Sequence, residues 1–366
     1  MKLIHLSEGL RMFKRARIVN KHGFKRYDGN LEQIIRQIIE SCWNGKYFQV
    51  SSGHFNEFYC RDFGMCAEAL VKLGPKERVI KTLDYALTKF RKHGRITTSI
   101  SPKGKCFNFL TYGADSLPFI IHSIHVADAK EILNKFKTFL NREIDYYHEN
   151  VFDAKAFLVK EDRNFSSIKD HAKRSSSCYS NCMLYMLSTD LAALGFKSSF
   201  PDNIIRDAIL KKFWSRSGNF FYDDLTSQDV VTGDANTFPF WCGVAKSKKR
   251  FKQCIESMEK AGLTKPFPLK YTTEQGRIHD MHLIDRLSGG YERDSIWMHL
   301  GLCFLDVIKQ FDKKRFKRYM EQYEKLIMRH MTFLELYDRK GRPFKSRIYV
   351  TDESMLWAAK YLTLKK

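Results

Sequence analysis

Six short segments of the chain place carboxylates, arginines and aromatic rings together immediately ahead of apolar runs. Phe58-Tyr59-Cys60-Arg61-Asp62 opens one run, and Arg61 with Asp62 has the donors and acceptors to hold two sugar hydroxyls. Tyr112-Gly113-Ala114-Asp115 opens a second. Phe165 to His171 is too rich in Ser, Lys, Asp and His to be core, and its Asp170 is a candidate general acid. Gly233-Asp234-Ala235-Asn236 leads to Trp241, a ring able to stack on a sugar face. Tyr291, Arg293, Trp297 and His299 gather at the head of another run. Glu335 sits among Phe333, Leu334 and Leu336, where desolvation raises a carboxyl pKa, and Asp352-Glu353 follows. Each residue also has a structural reading. Asp115 and Asp234 are suited to capping helices, Arg61-Asp62 to a cap with a local ion pair, Trp241 and Trp297 to the core, and Asp352-Glu353 to a favourable first turn.

The elements that must position these residues are helices. Strand signals are sparse, and apolar periodicity of helical type recurs over 31–43, 61–73, 76–93, 113–126, 128–149, 177–194, 202–214, 236–245, 248–262, 293–310, 313–332 and 352–364. Gly74-Pro75 and Gly195 with Phe200-Pro201-Asp202 supply stops and starts, and Asp128 is a suitable N-cap. Segments such as 61–73, 113–126, 177–194 and 293–310 are apolar on most faces, whereas 76–93, 128–149, 248–262 and 313–332 carry lysine-rich stripes. A helix apolar all round is buried and a striped one lies outside. Six alternations of the two predict an all-α double ring of hairpins, an (α/α)6 toroid with inner and outer helices, whose inner loops share one funnel. An irregular bundle or a solenoid is the competing architecture, and no repeat of fixed period supports the latter. The expected organisation is one domain over 1–366, with 1–28 as an irregular N-terminal segment.

Composition narrows the function classes. The net charge of +22 attracts polyanions, yet the basic residues are dispersed and no zinc-finger, RNP or recognition-helix signature accompanies them. Nucleic acid is therefore not the expected partner. The nine cysteines form no C-x-x-C pair, and Cys178 with Cys182 has no second pair to complete a metal site. Reduced thiols, no signal-peptide core and no spanning segment predict a cytoplasmic protein that does not bind a membrane.

The order of the six segments resembles the catalytic domains of the six-hairpin glycosidase superfamily, of the glucoamylase and glycogen-debranching (amylo-1,6-glucosidase) type, over roughly 55–364. In that resemblance Arg61 and Asp62 hold the outermost sugar. Asp170 corresponds to the acid of a Trp-Met-Asp segment, with Ile168 and Lys169 in place of Trp and Met. Glu335 corresponds to the base of a Leu-Pro-Glu-Gln segment, with Leu334 and Leu336 in place of Pro and Gln. Tyr291 and Trp297 take aromatic positions of a Tyr-x-x-Gly-x-Val-Trp-Pro segment, with Asp294 and Met298 in place of its Gly and Pro. Tyr112, Asp115, Trp241, Arg293, His299 and Glu353 complete the expected substrate-binding set, and Asp352 or Glu353 is the reserve base.

The resemblance implies an inverting, exo-acting glycoside hydrolase on α-glucosidic or related oligosaccharide linkages, a place in carbohydrate metabolism such as glycogen debranching, and no cofactor. An acid protonates the leaving oxygen while a base activates water across a gap of about 6.5–9.5 Å. The alternatives on the same scaffold are an inverting phosphorylase, an epimerase or a sugar-binding relic. A basic helical nucleic-acid-binding protein is the alternative outside it.

Overall fold

The computed structural model describes residues 3–109, 111–169, 172–197, 199–273, 279–280, 289–346 and 348–366, with 3–8 and 279–280 as backbone. Thirteen helices lie among them: α1 (Leu3–His22), α2 (Leu31–Ser41), α3 (Cys60–Leu73), α4 (Lys76–His93), α5 (Ser116–Val126), α6 (Lys130–Asn150), α7 (Cys178–Ala193), α8 (Asp202–Phe213), α9 (Phe238–Trp241), α10 (Lys248–Lys260), α11 (Met298–Phe311), α12 (Lys313–His330) and α13 (Ala358–Lys365). None is long and apolar enough to cross a membrane.

Burial follows the apolar patterning. In α7 every residue from Cys178 to Ser188 is buried, and in α11 the run from Met298 to Leu305 is buried throughout. The lysine-rich α10 and α12 bury one stripe each, Phe251, Cys254, Ile255 and Met258 in α10 and Tyr319, Met320, Tyr323, Leu326 and Ile327 in α12. Each large side chain so enclosed contributes about 1.5–3 kcal/mol of transfer free energy. The buried helices touch in chain order: α3 meets α5, α5 meets α7, α7 meets α9, α9 meets α11, α11 meets α13, and α13 returns to α3. The approach of α3 to α5 is set by Gly64, where an added Cβ would lie 2.4 Å from Phe119.

All twelve expected helical segments contain a helix, but five start two or more residues late, at Ser116, Lys130, Phe238, Met298 and Ala358. The stretches 236–237, 293–297 and 352–357 carry loop backbone whose hydrogen bonds go elsewhere. Ile296-Trp297 pairs antiparallel with Leu336-Tyr337, Trp297 opposite Leu336, and the Glu335 N–H donates to the Asp352 carbonyl. Asp128 is not a cap: it has φ 45° and precedes the actual N-cap, Ala129.

The N-terminal segment is a correction. It is not irregular, because residues 3–22 form a 20-residue helix. Ala16 and Val19 pack on Val350, and Met12 lies against the main core. That i, i+4, i+7 stripe of small and flexible apolar residues is interrupted by so many basic side chains that it does not stand out in the sequence.

Candidate active site

Glu335 is delivered by the strand pairing that closes the head of α11. The Met298 N–H donates to its carbonyl at 3.1 Å, and its own N–H reaches the Asp352 carbonyl at 2.9 Å. The side chain is 3% exposed. Its Oε2 accepts the Tyr349 hydroxyl, and the Asp352 N–H at 3.0 Å. Burial pushes the carboxyl up to about 8, the two donors pull it down, and the nearby Asp352 and Asp62 carboxylates push it up again.

Asp352 cannot serve as a free base, which corrects its reserve role. Its carboxylate is enclosed by the turn at 51–55, taking the Ser51 hydroxyl, the His54 N–H at 2.9 Å and the Phe55 N–H at 3.0 Å. Gly53 makes the wrap possible, since a Cβ there would stand 1.8 Å from Asp352 Oδ1. A fully occupied carboxylate in this position is a mount for Glu335. Glu353, the other reserve, is buried and paired with Arg15 of α1.

His299 sits one residue into α11, buried between the rings of Trp297 at 5.3 Å and Trp357 at 4.6 Å. Burial pulls its pKa down to about 3, and Arg61 adds to the effect, so the imidazole is neutral. The Tyr271 hydroxyl donates to the Ile168 carbonyl at 2.8 Å and lies 3.1 Å from His299 Nε2. With its one hydrogen given to Ile168, Tyr271 accepts from Nε2–H, an assignment made from the network. Nδ1 is then a bare acceptor, buried without a partner among the described residues, as are Trp297 Nε1 and the Tyr112 hydroxyl. Buried polar atoms are normally satisfied, and the two orphans at the head of α11, on Trp297 and His299, point to a ligand.

Among the described residues Arg61 and Asp62 make neither a cap nor a local pair. Arg61 Nε donates to Asp115 Oδ2 at 2.7 Å and its Nη2 to the Ser167 carbonyl. Asp115 makes no side-chain cap hydrogen bond, and the Tyr179 hydroxyl donates to the same Oδ2 at 2.8 Å. Asp62 accepts the Trp357 indole N–H at 3.0 Å. Asp234, also read as a cap, instead takes Lys169 at 3.0 Å and Arg174 at 3.1 Å, while Lys169 also reaches Asp223 at 2.7 Å. Both cations are buried. They pin the segment that runs into Asp170, which itself lies outside the described residues.

Of the remaining expected residues, Tyr291 stacks on Tyr349 at 5.4 Å and lies 5.7 Å from Trp297, which ties it to the Glu335 cluster. Arg293 is half-buried in the turn that begins at Gly290. Tyr112 is edge-on to Tyr146 at 5.6 Å and Phe165 at 6.4 Å. Trp241 is a correction. Its indole N–H donates to Asp306 at 3.1 Å, a residue about 10 Å along α11 from His299 at 1.5 Å per residue. Lys360 shares that carboxylate at 2.7 Å, so the Trp241 indole N–H is engaged along the body of α11 and not at its head. Tyr349, Tyr271, Lys169 and Arg174 were not anticipated. A lysine in a polar stretch carries no sign of burial, and Tyr349 stands in a polar loop.

No family model matches the chain, and no curated protein matches it in sequence. Solved structures do match. A rhamnosidase from Klebsiella oxytoca with rhamnose bound is similar at a TM-score of 0.65 and 12% identity, over 92% of this chain and 63% of that one. The chain thus spans a little under two thirds of the rhamnosidase. The helical fold of the chain is shared with solved glycosidases. A GH63 mannosylglycerate hydrolase from Thermus thermophilus, in complex with Tris, is similar at 0.63 and 14% identity, over 91% of this chain and 99% of that one. A glycosidase in complex with glucose gives 0.63 and 12% identity, over 98% of this chain and 97% of its own.

Proposed function

We propose that the chain is an inverting, exo-acting glycoside hydrolase built on the (α/α)6 toroid, with Glu335 as general base and Asp170 as general acid. The observation that carries this reading is Glu335 itself. It is a buried carboxyl held by two donors, beside a neutral His299 and a Trp297 whose buried polar atoms are unpartnered among the described residues. The cyclic order of contacts from α3 through α13 back to α3 supports the toroid. The glycosidases that share the fold support the reaction class.

In this reading the substrate's terminal ring lies over the α11 head. His299 Nδ1 accepts from one sugar hydroxyl, while Trp297 and Tyr291 supply apolar faces and Arg61 and Asp62 border the innermost subsite. Glu335, once ionised, takes a proton from water as the water attacks the anomeric carbon. Asp170 gives its proton to the departing oxygen, and the product forms with inverted configuration. Tyr349 and the Asp352 N–H stabilise the ionised base. The cations Arg61, Lys169 and Arg174 are each paired with a carboxylate, which favours water over phosphate as co-substrate.

The test is a panel of α-glucosides, rhamnosides and mannosylglycerate, with and without inorganic phosphate, followed by NMR of the first anomer released. A phosphate-independent product of inverted configuration supports the proposal. A sugar phosphate, or a retained anomer, contradicts it.

A further inference from the structure

Helix α1 touches the main core through Met12, but Ala16 and Val19, the buried apolar residues among its described side chains, dock apart from that core. Ala16 and Val19 form a small cluster of their own with Val350, touched by Phe24. Its outward side leaves Leu10 60% and Ile18 47% exposed. Its inward side delivers two arginines. Arg11 pairs with Glu57 and Arg15 with Glu353, and both carboxylates are buried.

These two carboxylates flank the candidate site. Glu353 directly follows Asp352, whose N–H holds Glu335, and Glu57 precedes the segment that carries Arg61 and Asp62. Glu57 Oε2 and Glu353 Oε2 have no hydrogen-bond partner among the described residues, although both are buried. A carboxylate so enclosed, and only partly satisfied by the arginine that faces it, is a poor structural ion pair. It has acceptor capacity left for another ligand. The electrostatics of the corner are shared: Arg11 also faces Asp352, Tyr59 and Tyr47, and Arg15 faces His54.

We propose that α1 is a displaceable strap, and that Arg11 and Arg15 occupy a sugar-hydroxyl subsite formed by Glu57 and Glu353 beside the candidate active site. The subsite takes hydroxyl donors of a neutral sugar unit, which replace the guanidinium groups when the strap lifts. The strap rests on geometry alone, whereas the sugar assignment rests on the proposed hydrolase reading.

The experiment compares the full chain with its Arg11→Met/Arg15→Met variant, both in a Glu335→Gln background so that the probe is not cleaved. Hydrogen exchange is followed over residues 9–22, and maltotriose binding is measured by calorimetry. Exchange in α1 is expected to be at least tenfold faster in the double variant than in its parent, with α3 and α7 unchanged. Saturating maltotriose is expected to speed α1 exchange in the parent, and the variant to bind the sugar several-fold more tightly. If α1 in the double variant exchanges as slowly as α3, the strap is wrong. If α1 loosens but maltotriose binds both proteins equally, or neither, the subsite assignment is overturned while the strap stands. Hydrolysis by the wild-type chain is scored separately, so a failed strap and a failed hydrolase reading are told apart. Should the double variant not fold, Arg15→Gln alone is read by the same criteria.

Discussion

Glu335 and Asp352 are bound to each other twice, in opposite directions. The Glu335 N–H donates to the Asp352 carbonyl at 2.9 Å, and the Asp352 N–H donates to the Glu335 carboxyl at 3.0 Å. The 51–55 turn holds the Asp352 side chain, and through it the donor that faces Glu335.

Tightening that mount past its limit should be visible in stability. Gly53→Ala places a methyl 1.8 Å from Asp352 Oδ1, so the turn must open. We expect a loss of about 1–3 kcal/mol in denaturant unfolding, the usual cost of overpacking. Catalytic rate should fall along with it, because the Asp352 N–H moves. An alanine variant of unchanged stability would mean that the wrap does not hold Asp352.

Tyr349→Phe removes a donor to the Glu335 carboxyl, and donors to the ionised form lower a pKa. Glu335 is already raised to about 8 by burial. The rise of kcat/KM with pH, expected to level near pH 8 in the free protein, should move to higher pH in the phenylalanine variant. A profile identical to wild type would show that the hydroxyl does not act on the base.

The same group gives a stability signature that needs no substrate. Its folded pKa lies above its unfolded value, so the carboxyl stabilises the fold below the unfolded pKa of about 4.5, and this is lost as pH rises through about 8. Glu335→Gln should therefore be relatively more stable than wild type at pH 9 than at pH 5. The check is Tm against pH for both proteins.

Lys169→Met leaves Asp234 and Asp223 with Arg174 as their remaining buried cation among the described residues. Removing one partner of a buried charge network costs about 3–5 kcal/mol. We expect a corresponding drop in the unfolding midpoint and a fall in kcat larger than any change in KM, since the lysine directly precedes Asp170 and its ion pairs anchor that segment. Unchanged kcat in a folded variant would separate Lys169 from the chemistry.

The helical architecture was legible because burial leaves a periodic mark: each of the twelve segments contains a helix. The site was legible where residues of odd chemistry interrupt that mark, as at Glu335, His299 and Arg61. Roles were harder to read than positions. Asp115 and Asp234 precede buried helices as caps do, yet their partners are Arg61 and Tyr179 in one case and Lys169 and Arg174 in the other. These lie 54 and 64 residues from Asp115 and 65 and 60 from Asp234, and no local pattern announces such pairings. Trp241 shows the converse, a tryptophan close to a polar loop whose indole N–H is used along the body of the helix it faces.

Release of monosaccharide by the wild-type chain and by Glu335→Gln, on whichever glycoside of the panel is cleaved fastest, tests the central claim most directly. The account predicts a loss of about 10²–10⁴-fold in the variant, the usual contribution of a general base, with binding of the same glycoside retained. A folded Glu335→Gln protein that turns over at the wild-type rate would contradict it.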